Sequence, residues 1–131
     1  MGQLADGNKP KTASAPLAVV LAADTAFHTT FATVFPHNPK AGDAFASDES
    51  HRIRTALDQA WLQAGYFLIG VRAIGLAAGP MAGFDASGLD ADLLAGTAWR
   101  SFLVVNIGHP APNAWHDRLP RLDRAEAVRT I

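Results

Sequence analysis

The chain has 131 residues, of which 49% are hydrophobic and 18% charged, and its eleven basic and twelve acidic side chains leave a formal charge of −1. That length fits one domain able to bury a core, and the composition is that of a folded protein and not of a disordered segment. The near-neutral balance offers no basic footprint for nucleic acid, and the lack of cysteine excludes disulfides, thiolate metal sites and cysteine nucleophiles.

Residues 1–14 are polar and read as a tail or an irregular lead-in, without the basic start and apolar core of a signal peptide. Pro16 to Ala23 is a continuous apolar run, which predicts a strand covered on both faces. Asp24 or Thr25 can cap a short helix over Ala26 to Val34, with Phe27, Phe31 and Val34 on one side. Pro36, Pro39 and Gly42 then predict a loop.

Ser47 is placed to cap the dominant helix, whose early acids Asp48 and Glu49 suit the positive end of the macrodipole. Ile53, Leu57, Ala60, Trp61, Ala64, Phe67, Leu68, Val71 and Ile74 recur at three- and four-residue steps, a helical period. Beyond Ala60 the surface is apolar nearly all round, with Leu62, Tyr66 and Ile69 added. Gln59, Gln63 and Arg72 interrupt it, which argues against a membrane span. Such a helix lies in the centre of a core or against a second subunit. At roughly 26 residues it is ~39 Å long, more than a small domain covers alone, so a dimer through this helix is expected, with a buried core helix of a monomer as the alternative.

Gly75 to Asp85 is too rich in glycine to continue the helix, and Pro80 removes a donor and restricts Gly79. It reads as a functional loop or as a plain helix stop at Gly75. Asp85 can cap a short helix carrying Leu89, Leu93 and Leu94 that ends by Gly96, and Trp99 to Ile107 supplies a second strand that stops at Gly108. Residues 109–122 hold three prolines and read as an extended connection, and Asp123 can cap a last helical turn or two.

The five histidines, His28, His37, His51, His109 and His116, show no ligand spacing on a helix, so no metal site is expected. Ser87 and Ser101 lack the surroundings of a nucleophile elbow. Gly79 to Gly83 is neither a phosphate-binding loop nor a dinucleotide fingerprint.

The run Gly75-Leu-Ala-Ala-Gly79-Pro80-Met81-Ala82-Gly83-Phe84-Asp85 resembles the flavin-facing loop of the FMN-dependent nitroreductase family and is most similar to its malonic semialdehyde reductase branch. Phe35-Pro36-His37 and Arg118-Leu-Pro-Arg121-Leu resemble the same branch, and the similarity is densest from about Leu57 to Leu122. The resemblance implies an α+β fold with a central, mostly antiparallel sheet flanked by helices and a long dimer-interface helix. It also implies FMN bound at the boundary of a homodimer, and NADH or NADPH as the electron donor. In this likeness Ala82 and Gly83 give backbone donors to the flavin ring, Pro80 and Met81 shape the wall beside it, and Arg118 or Arg121 grips the phosphate, Arg121 by preference.

The implied activity is NAD(P)H-dependent reduction of malonic semialdehyde to 3-hydroxypropionate, or of nitro and quinone compounds, in the cytoplasm. No catalytic side chain is implied, because the cofactor carries the reaction. The likeness also places the chain as a single domain over 1–131 that lacks the N-terminal part of the usual one. A flavin-free dimerising remnant of the fold is the alternative.

Overall fold

A computed structural model of the protein describes residues 1–112, 114–115 and 117–131. In chain order it forms helix α1 (Lys9–Ser14), strand β1 (Leu17–Asp24), a 3-10 turn (Phe27–Thr30), helices α2 (Phe31–Val34), α3 (Ala41–Ser47) and α4 (Glu49–Ala73), strand β2 (Ala77–Met81), helix α5 (Ala86–Leu93), strand β3 (Trp99–Gly108) and helix α6 (Arg124–Ala127). The three strands make an antiparallel sheet in the order β1-β3-β2. The fold is the α+β arrangement expected, with the longest helix where the apolar period placed it.

Strand β3 is central because it carries the densest β-branched and aliphatic run of the three, Phe-Leu-Val-Val-Asn-Ile. Its alternation divides the core. Leu103, Val105 and Ile107 pack with Ala64, Val71 and Phe67 of α4, while Val104 packs on the opposite face with Leu4, Leu89, Met81 and Phe84. Val105 is fully buried. The register slips by one residue between Leu21 and Ala22, which pair with Leu103 and Ser101. That bulge leaves Phe102 unpaired and turns it to the α4 side, where its ring meets Trp61 edge-on at 4.8 Å.

Helix α4 starts and stops on recognisable chemistry. The Asp48 carboxylate accepts from the His51 N–H and the Ser50 hydroxyl, each at 2.9 Å, so Asp48 is the cap and Ser47 closes α3 instead. At the far end Gly75 has φ +86°; its N–H donates to the Arg72 carbonyl and the Leu76 N–H to that of Val71. This is a Schellman closure, which favours glycine at the left-handed position. Leu76 packs beside Val71 in the same cluster.

Several expectations are corrected. Residues 1–14 are no free lead-in: Leu4 is buried and bridges Phe84, and Lys9–Ser14 is helical with proline in its first turn. Strand β1 lies at a sheet edge and is partly covered on both faces, Val19 and Leu21 packing on the α4 cluster and Val20 on the opposite one, while Leu17 at its start is 52% exposed. The helix foreseen over Ala26 to Val34 is a 3-10 turn followed by one α turn, and Gly42 is a buried residue of α3 and not of a loop. Trp61 of α4 is half exposed and Ile74, the residue that caps its end, is largely exposed, whereas Ala56, Ala64 and Val71 are the buried positions of the helix. Asp123 stands at the N-cap that opens α6, as foreseen, and its N–H donates to the Glu126 carboxylate at 3.1 Å.

Arg52 ties the 26–47 excursion to this frame. Its Nε donates to the Thr25 carbonyl at 3.0 Å and its Nη1 to the Phe45 carbonyl at 2.9 Å, with Glu49 at 3.7 Å. In the same excursion Phe45 meets Phe27 and Phe31 edge to face at 5.0 and 5.8 Å, and Phe27 lies tilted on Phe31 at 5.9 Å.

Arg52→Ala removes two hydrogen bonds from a charged donor and is expected to lower stability by about 3 kcal/mol, read from the midpoint of urea unfolding. The His51 N–H bond first, and the Ser50 hydroxyl next, hold the Asp48 carboxyl below its ordinary value. A lowered folded-state value stabilises the fold above the ordinary carboxylate range, and this contribution is lost as pH falls through the folded value. Asp48→Asn is therefore expected to narrow the difference in melting temperature between neutral and acidic solution.

Candidate functional site

The glycine-rich stretch divides into two parts. Ala77–Met81 is strand β2, paired from Ala77↔Gly108 to Met81↔Val104, so its first half is not the loop expected. Proline is tolerated there because β2 lies at the sheet edge, where an absent N–H breaks no ladder. The chain leaves the sheet only after Met81, and Ala82 and Gly83 form an exposed bend that ends at the cap of α5. The Asp85 carboxylate caps that helix by accepting from the Gly88 N–H at 3.1 Å.

The bend is held from one side only. The Gly83 carbonyl accepts from the Ala5 N–H at 3.0 Å and from Asn8 Nδ2 at 3.2 Å, and the Phe84 N–H donates to the Ala82 carbonyl at 3.1 Å. Among the described residues, the N–H groups of Ala82 and Gly83 have no acceptor. Two adjacent free main-chain donors on an exposed turn can serve a flat, acceptor-rich edge of a ligand, with no side chain in the way.

Beside this bend a cleft of about 620 Å³ runs along β2, with Lys11, Pro80, Met81, Asn106, His109 and Trp115 on its walls. Among its described lining residues the ionisable ones are Lys11 and His109, and no carboxylate faces it, which suits an anionic ligand. Arg72 sits 5.4 Å over the Trp115 ring and fixes that wall by a cation–π contact. Thr12 and Asn106 reach the Met81 sulfur at 3.9 and 4.0 Å, and Asn106 Nδ2 donates to the Thr12 hydroxyl at 3.2 Å. The Asn106 Oδ1 is buried without a partner among the described residues. A second cavity of about 730 Å³ lies between β1 and α4, against Phe27, Gln59, Gln63, Trp99 and Phe102.

The structure thus brings Pro80 and Met81 into the wall of one cleft, while Ala82 and Gly83 are exposed on the bend that follows and line neither cavity. It does not bring Arg118 and Arg121 there. Both are exposed, and Arg121 Nη1 donates to its own neighbours' carbonyls at Leu119 and Pro120. The residues the sequence did not single out are Asn8, Thr12 and Asn106, polar side chains on α1 and β3 whose meeting with Met81 and Gly83 depends on tertiary packing. No group of His, Asp or Glu able to hold a metal gathers among the described residues, and His116 lies outside them. No helix among the described residues is long and apolar enough to cross a membrane.

No family model matches the chain. A Caulobacter vibrioides protein that carries the provisional name NADH dehydrogenase/NAD(P)H nitroreductase is 42% identical over 132 residues, which is all of this chain and 67% of the relative. The chain belongs to the nitroreductase family. A Streptomyces griseus nitroreductase relative of the same provisional name is 48% identical over 128 residues, 98% of this chain and 65% of its own length, so the chain spans slightly under two thirds of that protein.

Solved nitroreductase structures agree in fold. The nitroreductase family protein of Streptococcus pneumoniae TIGR4 superposes with a TM-score of 0.83 at 19% identity, over 99% of this chain and 72% of that one. An enone reductase of gut-bacterial fatty acid saturation superposes at 0.73 with 18% identity, over 99% and 69%. At such identities the likeness is one of nitroreductase fold alone.

Proposed function

We propose that this chain is the flavin-presenting part of an FMN-dependent NAD(P)H oxidoreductase that works as a homodimer. The observation that carries the reading is the pair of unpartnered N–H groups at Ala82 and Gly83, on an exposed bend inside Gly79-Pro-Met-Ala-Gly-Phe-Asp85. A flavin fits there because its ring edge needs backbone donors and close approach, and both residues at the bend are small. When bound, FMN supplies hydride transfer between a nicotinamide and the substrate. The chain's own share is to orient the ring by main-chain donors, to wall it with Pro80 and Met81, and to place positive charge at the phosphate.

The cleft beyond Met81, with Lys11 and His109 and no described carboxylate, supports an anionic cofactor. Arg118 and Arg121 belong to this reading through the family likeness, and Arg121 would have to release its present contacts to reach the phosphate. A protein of the same fold from Staphylococcus epidermidis, at 15% identity and a TM-score of 0.72, carries the provisional name NAD(P)H:FMN oxidoreductase. Malonic semialdehyde is the substrate we favour, on the branch resemblance, ahead of nitroaromatics and quinones. The flavin-free remnant is the weaker reading, because the bend keeps its donors open.

The helix α4 supports the dimer. Leu62, Tyr66 and Ile69 are 60%, 72% and 68% exposed and recur at four- and three-residue steps along one flank, an apolar surface that a monomer would leave in water.

Purified protein mixed with FMN is expected to retain it through gel filtration and to show a bound-flavin spectrum; colourless protein after that treatment excludes the reading. Arg121→Ala is expected to weaken FMN by roughly 10- to 100-fold, the worth of a charged hydrogen bond; unchanged affinity removes Arg121 from the phosphate site. Ile69→Glu is expected to convert a dimer to a monomer by sedimentation, and a variant that still sediments as a dimer places the interface elsewhere.

A further inference from the structure

We propose that Asn8 is a positioning residue for the free Gly83 donor, a role that rests on the flavin reading given above. Asn8 stands at the N-cap of α1, where an Asn side chain ordinarily accepts from the helix's own first N–H groups. It makes no such cap here. Its amide is turned outward instead and donates to the Gly83 carbonyl, 75 residues away in sequence, at 3.2 Å.

The consequence follows from peptide planarity, which makes each C=O and the N–H of the same peptide point in opposite directions. Asn8 and the Ala5 N–H hold the Gly83 carbonyl, which fixes the plane containing the Phe84 N–H. That N–H in turn holds the Ala82 carbonyl at 3.1 Å, which fixes the plane containing the Gly83 N–H. The free Gly83 donor is therefore aimed by two linked planes, and Asn8 is the only side chain in the linkage. Gly83 is matched to it: a Cβ there would stand 3.1 Å from Asn8 Nδ2 and 3.6 Å from the Ala5 Cβ, so a larger residue would push the amide away.

Asn8→Asp separates this role from a merely structural one. The carboxylate is isosteric, cannot donate to the Gly83 carbonyl, and is at least as good an N-cap for α1. The melting temperature of the apo protein is expected to hold, while the Phe84 amide exchanges its hydrogen about tenfold faster and FMN affinity falls about tenfold, as for the loss of one hydrogen bond. Asn8→Ala is expected to reproduce both losses. Wild-type protein that binds FMN, with both variants within twofold of it, overturns the role of Asn8 and leaves the flavin reading standing. Wild-type protein that takes up no FMN overturns the flavin reading, and the role of Asn8 with it.

Discussion

Strand β3 is the element on which the remaining structure depends, because it alone among the described strands is paired on both edges, and its two faces carry the buried residues of both clusters. Its β-branched and aliphatic run meets the apolar stripe of α4 on one side and the cluster of Leu4, Leu89 and Phe84 on the other. A strand so placed satisfies its backbone through two ladders and contributes the fully buried Val105. The edge strands, by contrast, are held by one ladder each. They need help from outside the sheet, which β2 obtains from the Schellman turn before it and the N-terminal segment after it.

That division explains what could be read from the amino-acid order. The long helix, β1, β3 and the capped helix α5 are legible because each carries a period or a cap that local physics enforces. Strand β2 is not legible. Ala-Ala-Gly-Pro-Met has no β-branched residue and includes the two residues least at home in a sheet; only the long neighbouring β3 recruits it. Helix α1 escapes notice because six residues give no period, although Pro10 after Asn8 was a usable start signal.

The site divides in the same way. Ala82 and Gly83 stand out because a glycine-rich bend after a strong helix is conspicuous in any sequence. The network of Thr12 and Asn106 with Met81, and the reach of Asn8 to Gly83, join residues 25 to 94 positions apart, and no local pattern reports such pairings. Arg118 and Arg121 show the reverse. A conspicuous basic pair can be named from its motif, yet its place relative to the bend is set by a segment with few packing contacts of its own.

Pro80 has an effect beyond the site it borders. An exposed sheet border ordinarily offers a row of amide hydrogens on which a stray chain can add itself, the route by which edge strands seed aggregates. Here the edge strand β2 is five residues long and interrupted by an imino acid, so an incoming strand would find the row one donor short. The residue that forms part of the cleft wall thus also makes this edge of the sheet a poor template for self-association.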